Sequence, residues 1–297
     1  MAICVSKQRP ESYSSTLTDS QHRFDPTPWA IGTRVALRVE YLGASYCGWQ
    51  AQPHLPVATV QESVEEALGK IADQPVTTHC AGRTDTGVHG FAQIAHFDDP
   101  VGRSAKAWVM GANGQLPPDI RIHWAHPVDA SFHARHSALA RRYRYVVANT
   151  PVRPAHLASL VTWHRRPLAV ETMAAAAGAL VGSHDFSAFR AAQCQANSPI
   201  REVYSLEVRR WNDFVVLDIA ANAFLHHMVR NMAGALMSVG TGSRPVDWLH
   251  ELLASRDRTL GADTASSAGL YLVGVDYPAD YGLPSTPAGP SWLTGYV

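Results

Sequence analysis

The ten residues Ala81-Gly82-Arg83-Thr84-Asp85-Thr86-Gly87-Val88-His89-Gly90 set one carboxylate between two glycines, with an arginine two positions before it and a histidine four after. A lone aspartate beside a cation suits nucleophilic or base chemistry, provided a rigid frame holds it. The glycines permit positive φ and close approach of another segment. Val76–Cys80 before the run and Ala92–Phe97 after it both read as strands, so Asp85 is expected on a connection held between two strands. The plain alternative is a turn-forming aspartate with no chemistry. Asp85-Thr86-Gly87 also spells the triplet of aspartic proteases, whose mechanism needs two carboxylates sharing a proton. No second D-T/S-G triplet follows; Asp263-Thr264-Ala265 is the nearest miss. The chain is also too long for a one-triplet protease subunit, and Gly82, Arg83 and Thr84 stand where that motif carries apolar residues, so the protease reading is rejected.

Three further segments carry candidate chemistry. Phe132-His133-Ala134-Arg135 precedes Arg141-Arg142-Tyr143-Arg144-Tyr145. In a strand, Tyr143 and Tyr145 share one face while Arg142 and Arg144 share the other. Aromatic rings beside guanidinium groups suit a stacked base and its phosphates; a half-buried strand with a solvated arginine face is the competing reading. Asn222 to Asn231 contains His226, His227 and Arg230, and a helix from Leu225 would aim Arg230 at a site. In such a helix adjacent side chains point about 100° apart, which speaks against His226 and His227 sharing a metal. Ala191–Arg201, with Cys194 and Pro199, reads as a loop.

The elements that must position these groups alternate strand and helix. Arg34–Tyr41 alternates as a half-buried strand. Thr59 and Glu62 form a capping box for a helix whose apolar face is Val60, Val64, Leu68 and Ile71. A helix over 104–113, strands over 119–125 and 141–148, and a weakly patterned joining stretch over 151–166 follow. Beyond lie a helix over 170–181, strands over 203–209 and 214–220, helices over 225–239 and 246–254, and a strand over 270–276. This order gives an α+β chain whose two halves, 31–150 and 151–297, have sheets able to join, with residues 1–30 an extension and 278–290 an irregular tail. No sequence repeat marks the halves as copies.

Of the 297 residues, 46% are hydrophobic, enough for a core. The net charge is zero, which counts mildly against nucleic acid, although arginines can cluster locally. Cys4, Cys47, Cys80 and Cys194 form no CxxC pair and read as reduced thiols of a cytoplasmic protein, with no zinc site. No membrane span or signal peptide is expected.

Together these segments resemble the TruA-type tRNA pseudouridine synthases from about Arg34 to the tail. The resemblance includes Tyr41-Leu42-Gly43, Tyr46-Cys47-Gly48-Trp49-Gln50, Val60-Gln61-Glu62, the Gly82–His89 run, Phe132–Arg135, Arg142–Tyr145, Phe224–Asn231 and Gly269-Leu270-Tyr271-Leu272. It implies two ferredoxin-like α/β halves joined by a mixed, mostly antiparallel central sheet flanked by helices. It also implies isomerisation of uridine to pseudouridine at positions 38, 39 and 40 of the tRNA anticodon arm, by a homodimer, with no metal or other cofactor. Asp85 matches the family's catalytic aspartate and Arg230 the arginine that pairs with it. Tyr143 matches the tyrosine that stacks on the target base, and Arg83 the arginine that enters the vacated stack. Leu270 packs under the site. Arg135, Arg141, Arg142 and Arg144 are the candidates for phosphate contacts. The pocket is expected to be largely dry, so the carboxylate needs its cationic partner.

Overall fold

The computed structural model describes residues 24–286 and 289–293; most of the expected N-terminal extension lies outside them. The elements in order are β1 (Arg34–Tyr41), α1 (Val60–Ala72), β2 (His79–Cys80), β3 (His89–Asp98), then a π-helical turn Ala107–Gly111 running into α2 (Ala112–Gln115), and β4 (Ile120–Val128). There follow β5 (Ala140–Ala148), β6 (Thr162–Trp163), α3 (Val170–Ala177), β7 (Gly182–Asp185), β8 (Ile200–Trp211), β9 (Phe214–Ala221), α4 (Met228–Gly240), α5 (Trp248–Ser255) and β10 (Leu270–Asp276).

The strands form one sheet in the order β4-β1-β3-β10-β5-β9-β8-β7, with β2 beside β3 and β6 beside β5. Pairing is antiparallel except where β10 meets β3 and β6 meets β5. This is the mixed, mostly antiparallel sheet expected. Its first part, β4-β1-β3-β2, and its second, β10-β5-β9-β8, have the same internal order, each the ferredoxin-like arrangement of strands 4-1-3-2. By pairing, β5 belongs to the second set, so the topological division falls within 129–139, earlier than the 150/151 line drawn from sequence.

Capping and packing explain why these residues form these elements. The Thr59 side chain accepts from the Glu62 N–H at the start of α1, while Val60, Val64 and Leu68 are fully buried. β1 is covered on both faces instead of half-buried. Val35, Leu37, Val39 and Tyr41 enter the core under α1, and Ala36 meets a second layer with Phe132 and Ala134. The strand expected over 76–80 shrinks to β2. The Thr78 N–H and hydroxyl both donate to the Glu65 carboxylate of α1, at 2.7 and 3.0 Å, which takes that residue out of the ladder. The helix expected from Leu225 starts only at Met228, because His227 takes a left-handed conformation, φ 62°. Among the described residues no helix is long and apolar enough to cross a membrane.

The two parts meet where Tyr271 and Leu272 of β10 lie opposite His89 and Gly90 of β3. His89 bolts this seam. Its ring stacks on Tyr271 at 4.6 Å, its Nδ1 accepts from the Gly43 N–H at 3.0 Å, and its Nε2 donates toward the Ser159 and Ala268 carbonyls at 3.0 and 3.2 Å. Burial holds this imidazole below its usual pKa, so it is neutral, with the proton on Nε2. The histidine of the opening motif is therefore a structural joint, facing away from Asp85.

Candidate active site

Asp85 sits on the eight-residue connection 81–88 between β2 and β3, as expected. That connection is fastened at several points. The Ala81 N–H donates to the Ile94 carbonyl at 2.7 Å, and Gln93 Nε2 donates to the Gly82 carbonyl at 2.6 Å. The Tyr41 and Thr84 hydroxyls are 2.8 Å apart, and the Trp49 N–H donates to the Thr84 carbonyl at 3.0 Å. Gly48, at φ +85°, lies against the same backbone; a Cβ there would stand 2.5 Å from the Thr84 oxygen. Of the two glycines flanking Asp85, Gly87 uses positive φ, +78°, and Gly82 does not. Tyr46–Gln50 thus forms the brace under the aspartate.

The carboxylate faces residues of the second half across a cavity of about 950 Å³. Arg230 Nη1 is 3.9 Å from Asp85 Oδ2, and its Nε donates to the Ala265 carbonyl at 2.8 Å, which fixes the guanidinium. Arg230 is in the first turn of α4. His226 Nε2 lies 3.4 Å from Oδ1 and His227 Nε2 3.6 Å from Oδ2. Burial, reinforced by Arg230 and His226, holds the His227 imidazole below its usual value against the pull of Asp85. Sequence reasoning missed both histidines as neighbours of Asp85. The 100° separation of helical neighbours does not apply, because α4 begins after them and the turn Leu225–His227 sets the two rings 4.1 Å apart.

Tyr143 is buried in the wall of the cavity, its ring edge-on to Phe224 at 5.1 Å. Burial raises its hydroxyl far above the usual range, so the phenol stays protonated. Leu270 lies buried in the lining, and exposed Arg83 and Arg135 stand along it. Near Arg135, His133 packs between His79 and His136, with ring separations of 5.5 and 4.3 Å. The Asp85 side chain keeps 26% of its surface open. The dry pocket expected from sequence is therefore not made by these protein groups alone.

Three of the arginines expected to meet phosphates are committed elsewhere. Arg141 is buried and donates to four backbone carbonyls, those of Ala81, Arg135, Ala138 and Asn222. Arg142 pairs with Asp276 at 2.7 Å, and Arg144 pairs with Asp218 at 2.6 Å and donates to the Gly289 carbonyl. Strand alternation puts Arg142 and Arg144 on the sheet face opposite Tyr143, where they line a separate cavity under the C-terminal tail. The same alternation puts Arg141 on the Tyr143 face, a role for it that the sequence reading passed over.

A rigidly presented aspartate facing an arginine, beside a buried tyrosine in an open cavity, forms a carboxylate-centred candidate site on a doubled ferredoxin-like sheet. The family model described as tRNA pseudouridine synthase matches residues 37–137 and 176–278, and the chain belongs to this family of isomerases. Curated relatives named tRNA pseudouridine synthase A include one from Pseudomonas aeruginosa, 53% identical over 89% of this chain and 92% of its own length. Another, from Idiomarina loihiensis, is 54% identical over 88% of this chain and 99% of its own. Among solved structures a Cbf5-Nop10-Gar1 complex is matched at a TM-score of 0.33 and 13% identity, covering 80% of this chain and 48% of that one, too loose a likeness to weigh.

Proposed function

We propose that the protein converts uridine to pseudouridine at positions 38, 39 and 40 of the tRNA anticodon arm, with Asp85 as the catalytic carboxylate. The observation that carries this reading is Asp85 held on a braced loop 3.9 Å from the Arg230 guanidinium, with Tyr143 buried in the same cavity wall. The named relatives support tRNA as the substrate.

In the reaction the N1–C1′ bond breaks and a C5–C1′ bond forms. The C5 hydrogen leaves as a proton and N1 gains one, so the product is an isomer and no redox partner or energy source enters. Attack by the aspartate and removal of a ribose proton by it both need an ionised carboxylate beside the sugar. Arg230, fixed by the Ala265 carbonyl, stabilises that ionised form and its orientation. Tyr143 presents a ring for the base to stack on. Arg83, on the aspartate loop itself and exposed, fills the stack that the flipped nucleotide leaves. With the Asp85 side chain partly open, the incoming base completes the exclusion of water. Arg135 meets a phosphate at the mouth. The enzyme works as a cytoplasmic homodimer with one tRNA touching both subunits.

The test is release of tritium from C5-labelled uracil in bulk tRNA. Wild-type protein is expected to release it, and Asp85→Asn to bind the same RNA without release. Binding without release by the wild type would leave an RNA-binding protein and defeat the assignment. Release confined to labels outside positions 38–40 would defeat the choice of target.

A further inference from the structure

Asp85, His226 and His227 offer one carboxylate oxygen and two imidazole nitrogens that all lie within 4.8 Å of one another. Ligands bound at about 2.0–2.1 Å around a tetrahedral zinc ion are separated from each other by about 3.4 Å. His226 Nε2 stands 3.4 Å from Asp85 Oδ1 and His227 Nε2 3.6 Å from Oδ2, so each imidazole meets its own carboxylate oxygen near that spacing, and a small side-chain adjustment brings the three donors onto one ion. The two rings lie beside each other because the left-handed backbone of His227 breaks the chain just before α4. The three side chains border the open cavity, which gives an ion access from solvent.

We propose that these three side chains form a site for a borderline-soft divalent cation such as Zn²⁺, and that the bound ion inhibits the enzyme by occupying the carboxylate. Two imidazoles and one carboxylate form a ligand set suited to zinc, cobalt, nickel and copper, whereas Mg²⁺ prefers oxygen donors and its own waters. The Mg²⁺ that accompanies RNA therefore does not compete. Arg230, 3.9 Å from Oδ2, opposes the ion and keeps it exchangeable. The site stands on geometry; the inhibition rests on the function proposed above.

The test titrates Co²⁺ into the full chain without RNA and reads the visible bands of four-coordinate cobalt, with Zn²⁺ then displacing it. One ion per chain is expected. His226→Gln and His227→Asn should each weaken binding by more than the ~10–100-fold that loss of an outer-shell partner costs. Asn is chosen at 227 because it tolerates the left-handed backbone there. Zn²⁺ should inhibit tritium release by wild type, and added tRNA should relieve it. Unchanged cobalt affinity in both variants would overturn the site. So would binding lost in His133→Gln or His136→Gln, since the ion would then sit at the other imidazole cluster. Cobalt bound as expected by a protein that releases no tritium would uphold the site while the functional reading failed.

Discussion

The two halves of the sheet repeat one strand order and use it for different ends. In the first half the connection between strands two and three is the eight-residue loop 81–88, and it carries Asp85. In the second half the matching connection, β8 to β9, is a two-residue turn at Asn212-Asp213, with Asn212 at φ 51°. The connection between strand three and the following helix is reversed in role. In the second half it brings His226 and His227 to the site, with Arg230 just inside the helix; in the first half it holds Asp99. Asp99 is fully buried and accepts from the N–H groups of Val101, Gly102 and Arg103 and from Trp108 Nε1. The Asp85 carboxylate instead has the imidazole and guanidinium nitrogens that face it at 3.4 to 3.9 Å, and among the described residues none makes a hydrogen bond to it. One aspartate has its lone pairs filled and serves stability; the other has them free and can react.

This contrast is broken most sharply at Asp85 itself. Asp85→Asn should lower tritium release by ~10²–10⁴-fold while the melting temperature stays near wild type, because the carboxylate has no hydrogen bonds to lose. Asp99→Asn should do the reverse, unfolding the first half at lower denaturant while residual activity tracks the folded fraction. Equal effects of the two substitutions on turnover would contradict the division of labour.

The joint between halves is sharpened next. Arg141→Met leaves the carbonyls of Ala81, Arg135, Ala138 and Asn222 short of a donor, at a cost of about 3 kcal/mol from chemical denaturation. Because Ala81 opens the Asp85 loop, turnover should fall as well. Gly48→Ala pushes a methyl group into the Thr84 backbone from a left-handed position. It should cost about 2 kcal/mol and lower turnover more than substrate affinity.

A pH effect follows from His96, whose imidazole is pushed down to about 4, first by burial and then by His133, Arg34 and His79. Its Nδ1 accepts from the Ala134 N–H at 3.2 Å, a bond only an unprotonated Nδ1 can accept. The folded state thus binds this proton less readily than the unfolded chain. The stability is complete above the ordinary value of 6.5 and is lost as pH falls from there through about 4. Denaturant midpoints of His96→Gln and wild type should converge over that window.

The smallest effect is expected at Arg142. Its exposed pair with Asp276 on the far face is worth at most about 1 kcal/mol, and Arg142→Ala should leave the salt dependence of tRNA binding unchanged. Arg135→Ala should reduce that slope by about one. An equal slope change in both would return the far face to the RNA path.

Local pattern determined much about this protein. The Thr59 cap, the apolar stripe of α1, the alternation of β5 and β10, and the placement of Asp85 between two strands are written in neighbouring residues, because capping and periodicity act over a few positions. The family was legible too, since the glycine-flanked aspartate and the segments around Tyr143 and Arg230 occur in one order along the chain. Tertiary structure alone decided the rest. Thr78 left its strand for a carboxylate on α1, and His89 became a bolt between halves. Arg141 turned inward to backbone carbonyls while Arg142 and Arg144 found aspartates on the far face. The two histidines before α4 met Asp85 from more than a hundred residues away. These partners come from other elements of the fold, and where the polar group is buried, as at His89 and Arg141, the cost of leaving it unmatched outweighs what the local pattern prefers.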